Sequence, residues 1–204
     1  MPKAITYNST YHKSPILVYP DQQLGCQEDI LQSLEKLFIH MTNKYSKVLF
    51  IRFDVRYPVN YQLQKIPANK LFSSFMAALA RYYQRQGYDP HYLWAREESE
   101  GLNPHYHVVL MLDGHKSKFY MPVLKKAEEL WRYQLNQNAK GLIFYCNQDN
   151  NGNSQENGIC IRKDRADYWE IYKRCFRWAS YLAKASSKKH TPYYTRQYGL
   201  SRLN

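Results

Sequence analysis

The segment from Lys47 to Tyr57 constrains the fold more than any other part of the chain. Its side chains alternate between a wholly apolar set and a second set that becomes charged along the segment. The apolar set is Leu49, Ile51, Phe53 and Val55, and the second is Val48, Phe50, Arg52, Asp54 and Arg56. A period of two residues is typical of a β-strand with one buried face. We therefore expect a sheet that packs its apolar face on a core and leaves the charged face open.

The remaining periodicities predict further strands and helices. Helices are expected over residues 28–43, 69–85, 121–137 and 165–186, and strands over residues 91–97, 105–112, 141–146 and 159–163. The last two strands are expected to form a hairpin around the polar, asparagine-rich residues 147–158. This order predicts an α+β fold in which a largely antiparallel central sheet of about five strands carries helices packed on one face.

Length and charge narrow the class of protein. The 204 residues suit one main domain, with an N-terminal extension and helix over 1–45, the domain itself over 46–190 and a basic C-terminal tail over 191–204. The formal net charge is +12, and residues 162–204 carry eleven Lys and Arg against three acidic residues. Such an excess attracts polyanions, so nucleic acid is expected to contact the C-terminal part.

Membrane and disulfide chemistry are not expected. No apolar run approaches the roughly 18 residues that span a bilayer, and the first residues lack the apolar segment of a secretory signal. The four cysteines are scattered without the spacing of a zinc site, so reduced thiols are expected. These features favour a cytoplasmic protein without a membrane partner.

A metal site is predicted around His105 and His107. Residues two apart on a strand share a face, so both imidazoles point the same way, and a neighbouring carboxylate would complete a metal site. Glu97 and Glu98 end the preceding strand, and Glu97 is preferred because Glu98 has the parity of the buried Trp94. A His-x-His pair arises by chance with a probability of roughly a quarter, so the nearby carboxylate gives it weight.

Tyr181 and Lys184 lie in the last predicted helix. At helical spacing they share a face with Arg174, Arg177 and Lys188. Cations around a phenol favour its phenolate form and attract phosphate. The alternative interpretation is a surface tyrosine in a basic nucleic-acid-binding helix.

Three segments together resemble a known superfamily. Residues Val48–Pro58 (VLFIRFDVRYP), Glu97–Met111 (EESEGLNPHYHVVLM) and Ser180–Lys184 (SYLAK) are similar to the motifs of the HUH endonucleases, which include rolling-circle replication initiators, relaxases and small transposases. The closest resemblance is to the YagK/YfjJ type, the inovirus gene II protein-like family. It implies an RRM-like or ferredoxin-like palm over 46–190.

The resemblance also implies a reaction. His105, His107 and Glu97 would bind Mg²⁺ or Mn²⁺, Tyr181 would be the nucleophile, and Lys184 would lie near the scissile phosphate. The expected activity is nicking and joining of single-stranded DNA through a 5′-phosphotyrosyl intermediate, initiating rolling-circle replication of a phage, prophage or plasmid-like element. Single-stranded DNA at an origin or hairpin, a host helicase and a host polymerase are the expected partners.

Phosphate contacts are expected from basic side chains on the open face and the last helix: Arg52, Arg56, Arg174, Arg177, Lys188 and Lys189. Asp54 is expected to pair with the arginines beside it. Two alternative functions remain open, a non-catalytic DNA-binding replication regulator with the same fold and a metal-dependent phosphodiesterase that uses water. Replacing Tyr181 with phenylalanine separates the last alternative from the nickase.

Overall fold

A six-stranded antiparallel sheet forms the centre of the molecule. The computed structural model describes residues 3–18, 24–59, 61, 69–97, 103–148, 152–188 and 194–203. Its helices are α1 (Glu28–Lys44), α2 (Lys70–Arg85), α3 (Met121–Leu135) and α4 (Tyr168–Ala179). Its strands are β1 (Ile5–Thr6), β2 (Thr10–Tyr11), β3 (Ser14–Pro15), β4 (Cys26–Gln27), β5 (Lys47–Val55), β6 (His91–Glu97), β7 (His105–Asp113), β8 (Ile143–Phe144), β9 (Ile159–Arg162) and β10 (Tyr198–Leu200). The sheet order is β10-β6-β7-β5, with β8 and β9 both paired to β5, so the predicted α+β class with an antiparallel sheet is confirmed.

Helices cover both faces of this sheet, whereas the sequence predicted one covered face. The face of Ile51 and Val108 packs on α2 and α3. The opposite face packs Phe50 and Met111 on α1 and α4. The layer of α1 and α4 is needed because half of this face is apolar and must be shielded from water. The other end of the face carries charged side chains and needs no hydrophobic cover. None of the helices in the described part of the chain combines the length and apolar character needed to cross a bilayer.

The predicted hairpin of the strands near 141–146 and 159–163 is wrong. β8 and β9 do not pair with each other; both run along the same edge of β5, opposite Asp54–Val55 and Lys47–Phe50. They are one edge strand interrupted by an excursion of the chain. The side chain of Asn157 fills the gap, since its Oδ1 accepts from the Arg52 backbone N–H at 3.1 Å and its Nδ2 donates to the Arg52 carbonyl at 2.6 Å.

Substitution Asn157→Ala is expected to destabilise the protein by about 2–4 kcal/mol. Asn157 is 7% exposed, and its loss leaves two buried backbone groups of Arg52 without partners. Urea unfolding measures the difference. The control is Asn138→Ala, since Asn138 is an exposed asparagine that bonds only to the Lys140 N–H in its own turn. Equal midpoints for the two variants would contradict this role for Asn157.

The last predicted helix ends early. α4 stops at Ala179, a 3₁₀ helix covers Ser180–Ala183, and Lys184 then forms a β-bridge with Cys26. The Ala185 N–H donates to the Gly25 carbonyl at 2.9 Å. Pairing with this N-terminal segment replaces the hydrogen bonds of a continued helix. The common face expected from helical spacing is therefore absent beyond Ala179.

The C-terminal residues are also more than a basic tail. Tyr198–Leu200 form the edge strand β10, opposite Leu93–Ala95 of β6. A Cβ at Gly199 would lie 2.7 Å from the indole of Trp94, so this close approach requires glycine. Three residues are too few to show a strand period, which explains why the sequence did not predict β10.

Candidate metal and tyrosine site

Strand register brings four polar side chains to one end of the sheet. Glu97 of β6 lies directly opposite His105 of β7, and His107 lies opposite Asp54 of β5 on its other side. Their parity puts all four on the face covered by α1 and α4, at the end beyond the apolar half. Glu98, the alternative carboxylate, lies outside the described residues.

Glu97, His105 and His107 form a compact donor set. The Glu97 Oε2 lies 2.7 Å from the His107 Nε2 and 3.8 Å from the His105 Nε2. All three ligand atoms lie within 4.8 Å of one another. Octahedral ligands about 2.1 Å from Mg²⁺ are about 3 Å apart when adjacent and about 4.2 Å apart when opposite, so the separations of Glu97 from the two imidazoles are close to those of such a site. Two imidazoles and one carboxylate also leave positions open for a substrate.

Asp54 holds the second nitrogen of His107. Its Oδ1 lies 2.7 Å from the His107 Nδ1, and both residues are buried. A carboxylate in this position keeps the proton on Nδ1 and directs the lone pair of Nε2 toward a metal. The sequence predicted that Asp54 pairs mainly with the arginines beside it, and this is wrong. Its main contact is the imidazole of His107, which lies directly opposite on the neighbouring strand.

The pKa values of Asp54, Glu97 and His105 are all lowered in this site. Burial raises the pKa of Asp54, but the charge and hydrogen bond of His107 outweigh it and hold the value to about 2. Glu97 is similar: burial opposes the hydrogen bond and charge of His107, and its pKa falls to about 2. Burial together with the neighbouring His107 lowers the pKa of His105 to about 4. A neutral imidazole at His105 and carboxylates at the other two are the protonation states that bind a cation.

Acid is expected to destabilise the metal-free protein in two stages. A group whose pKa is lower in the folded than in the unfolded chain stabilises fully above its unfolded pKa, and this contribution is lost as the pH falls toward the folded value. The first stage lies between 6.5 and about 4 for His105. The second lies below 4.5 for Glu97 and below 3.8 for Asp54.

Urea midpoints measured in a chelator across this pH range test both stages. His105→Gln should reduce the stability loss between pH 6.5 and about 4, to which His91 also contributes because burial lowers its pKa, and should leave the loss below 4.5 in place. An unchanged profile in this variant would contradict the assignment of the first stage to His105.

Tyr181 lies against the donor set. Its ring centroid is 5.0 Å from that of His107, with the two rings nearly perpendicular at 86°. The Arg52 guanidinium lies 4.5 Å from the centroid of the tyrosine ring, and the Lys184 Nζ lies 5.7 Å from it. The 3₁₀ helix therefore brings the predicted tyrosine and the predicted metal ligands to one place.

The expected phenolate of Tyr181 is wrong for the metal-free site. Burial raises the pKa of Tyr181, and the negative charge of Glu97 raises it further. Arg52 acts in the opposite direction without reversing the shift. The prediction assumed an exposed helical face of cations, whereas the side chain is half-buried beside two carboxylates.

The predicted phosphate contacts separate into exposed and buried groups. Arg56, Arg174 and Arg177 are exposed, although Arg174 already pairs with Glu156 at 2.8 Å. Arg52 and Lys188 are 8% and 2% exposed, so neither side chain lies on the open surface, and their contact with phosphate stays a prediction. Lys189 lies outside the described residues.

Lys188 belongs to the interior of the site. Burial lowers the pKa of its ammonium group to about 8, while the negative charge of Glu97 opposes the shift. Sequence reasoning missed this role and that of Asp54. The position of Asp54 could have been inferred from the sequence. Asp54 shares a strand face with Arg52, which was placed on the same side of the sheet as the histidines. Nothing in the sequence next to Lys188 indicates that its side chain is buried.

Comparison with known proteins adds a family. The family model of the YagK/YfjJ C-terminal domain matches residues 6–201. Among curated proteins and among solved structures, none matches the chain significantly. The matched range includes the strands that carry Asp54, Glu97, His105 and His107 as well as the 3₁₀ helix of Tyr181. The chain therefore belongs to the YagK/YfjJ C-terminal domain family.

Proposed function

We propose that this protein is an HUH-type nickase, which cleaves and rejoins single-stranded DNA through a covalent bond to Tyr181. Its role would be to initiate rolling-circle replication of a phage, prophage or plasmid-like element, as the three motifs imply. The observation that carries the proposal is the 5.0 Å contact between the rings of Tyr181 and His107. A nucleophile and a cation must reach the same phosphate. Because the rings of Tyr181 and His107 are in contact, the tyrosine and a cation bound by His107 would be close enough to do so.

The donor set determines where the phosphate would bind. Mg²⁺ or Mn²⁺ held by Glu97, His105 and His107 would polarise a non-bridging oxygen of the scissile phosphate. Asp54 would keep the His107 Nε2 lone pair available through its 2.7 Å bond to Nδ1. The exposed guanidiniums of Arg56 and Arg177 are suited to flanking phosphates.

The chemical step is a transesterification. The Oη of Tyr181 attacks phosphorus, the bond from phosphorus to the 3′ oxygen breaks, and the 5′ fragment leaves with a free 3′-hydroxyl. The phenolic proton passes to water and the departing 3′ oxygen takes one up. One phosphodiester replaces another, so the same residue can later return the strand to a new 3′-hydroxyl.

Arg52 and Lys184 assist the nucleophile. Burial raises the pKa of Tyr181, so its attack needs positive charge close to the oxygen. Arg52 lies over the ring and lowers that pKa, and Lys184 lies nearby. Both would also stabilise the charge that develops on the phosphate oxygens.

Labelled DNA tests the proposal directly. Single-stranded oligonucleotides with a randomised sequence carry a fluorophore at the 3′ end in one pool and at the 5′ end in a second, and each is mixed with the protein and Mn²⁺. We expect the 3′ label to comigrate with denatured protein and the 5′ label to be released. Proteolysis and mass spectrometry of the adduct should identify the peptide that contains Tyr181.

Other outcomes contradict the proposal in recognisable ways. Cleavage without an adduct indicates a metal-dependent phosphodiesterase that uses water. Binding without cleavage, for every metal and pool, indicates a DNA-binding regulator. An adduct that retains the 5′ label indicates the opposite polarity of attack.

A further inference from the structure

An open cleft lies between α2 and α3, far from the metal and tyrosine site. We call it the α2–α3 cleft, and its volume is about 570 Å³. Its apolar floor includes Tyr83, Tyr88 and Val123, and its rim includes Tyr82 of α2, the loop that follows β7 and the first turns of α3. The volume is within the range of pockets that hold small organic groups.

The rim of the α2–α3 cleft is strongly basic. Four lysines line it, Lys116, Lys118, Lys125 and Lys126, with one acid, Glu129, among the described lining residues. Glu129 pairs with Lys126, whose Nζ also lies 4.7 Å from the centroid of the Tyr82 ring. The remaining three lysines are exposed. The N-terminus of α3 adds partial positive charge at the same edge.

Exposed aromatic rings lie among these lysines. Phe119 is 72% exposed, and Tyr82 is 37% exposed. Turn hydrogen bonds order the loop that presents Phe119, since the Ser117 Oγ donates to the Phe119 carbonyl and the Lys116 N–H donates to the Asp113 carbonyl. The rings of Phe119 and Tyr82 are therefore accessible to a ligand at the rim of the cleft.

Ligand chemistry follows from this combination. Alternating cations and accessible rings suit single-stranded nucleic acid, whose phosphates contact lysines while its unpaired bases stack on the rings. A duplex keeps its bases stacked inside and would leave Phe119 without a partner. Free phosphate or an acidic peptide would use the lysines alone.

The α2–α3 cleft is distinct from the site around His107. That site lies at the start of β7 on the face covered by α1 and α4, whereas the cleft lies past the end of β7 on the opposite face. At about 3.4 Å per residue, the six steps from His107 to Asp113 span about 20 Å. The four lysines also lie outside the basic C-terminal part in which sequence reasoning placed the nucleic acid.

We propose that the α2–α3 cleft is a second binding site, specific for single-stranded nucleic acid, with phosphates beside Lys116 and Lys118 and a base stacked on Phe119. Binding here needs neither a cation nor Tyr181, so the inference does not depend on the proposed nickase. Its role would be to hold part of a strand away from the metal and tyrosine site.

Fluorescence anisotropy with an oligothymidylate of about 30 nucleotides, in a chelator, tests this inference. The variant is Lys116→Ala/Lys118→Ala/Phe119→Ala. We expect affinity to fall about tenfold or more, because two phosphate contacts and one stacked base are lost. The slope of log affinity against log salt should decrease by about 1.4, or about 0.7 for each lysine.

A matched variant controls for charge and aromatic content. Lys36→Ala/Lys140→Ala/Tyr133→Ala removes two exposed lysines and a ring that is 86% exposed, all outside the α2–α3 cleft. Its affinity should stay within about twofold of the parent protein, since its charges are remote from the proposed contacts. Equal losses in the two variants, or no loss in the first, would overturn the inference.

Photo-cross-linking gives a result that does not depend on substitution. Oligonucleotides that carry iodinated uracil should cross-link to peptides that contain Phe119 or Tyr82. Cross-links confined to other peptides contradict the inference. A second outcome also contradicts the inference. In it, vesicles of anionic phospholipid recover the parent protein but not the cleft variant, while both proteins bind the oligonucleotide equally. In a Tyr181→Phe background, which cannot nick, the cleft variant should still lose affinity by the same factor, so a failure of nicking would be distinguishable from a failure at the cleft.

Discussion

Substitution Tyr181→Phe should abolish the covalent adduct and reduce cleavage of single-stranded DNA by at least about 10⁴-fold, because no other group replaces a lost nucleophile. The ring remains, so its contacts with His107 and Arg52 and the packing of the 3₁₀ helix persist. Affinity for DNA and for Mn²⁺ should change little. Adduct yield and single-turnover cleavage rates, measured with equal amounts of bound DNA, give the comparison.

Tyr168→Phe is the matched control. Tyr168 is half-buried at the first residue of α4, at the opposite end of the helix from Tyr181. Its substitution should leave both adduct and rate at the level of the parent protein. Cleavage that survives in Tyr181→Phe would move the reaction to water and remove the tyrosine from the mechanism.

His105→Ala and His107→Ala should differ in their effect on the stability of the metal-free protein. Either change should weaken Mn²⁺ binding by more than the 10- to 100-fold that loss of a supporting contact typically costs, because a direct ligand is removed. Only His107→Ala should strongly destabilise the metal-free protein, by about 3–5 kcal/mol. His107 is 3% exposed and lies 2.7 Å from both Asp54, which is buried, and Glu97, which is half-buried, and both carboxylates would lose this partner.

His105 makes weaker contacts. Its Nε2 lies 3.8 Å from Glu97, and its side chain is 27% exposed. His105→Ala should therefore lose metal binding with little change in the urea midpoint. Calorimetric titration with Mn²⁺ and urea unfolding in a chelator measure the two effects separately. His115→Ala, at an exposed histidine, should change neither, and similar destabilisation by both site variants would contradict the structural role of His107.

The local elements were predictable because their signals are local. The alternation in Lys47–Val55 and the apolar stripes of α1, α2 and α3 repeat with the period of the structure that they form. The same periodicity put His105 and His107 on one strand face and favoured Glu97 over its neighbour. These three side chains meet as expected, because a hairpin brings Glu97 directly opposite His105.

The end of α4 was not predictable from helical period. Residues 180–184 continue a plausible helical pattern, and what ends it is pairing with Gly25 and Cys26, more than 150 residues away in the sequence. That pairing moves Tyr181 away from a cationic helical face and places it on the His107 ring. It also reverses the expected shift of the tyrosine pKa.

The α+β class, the strands that carry Glu97, His105 and His107, and the family of the chain could be inferred without coordinates, because residue periods and short motifs are properties of the sequence alone. Three-dimensional contacts were needed to show that helices cover both faces, that Asn157 completes a strand edge and that Asp54 supports His107. Burial and strand order set these outcomes. Both depend on contacts between residues far apart in the chain, and no local pattern of side chains records them.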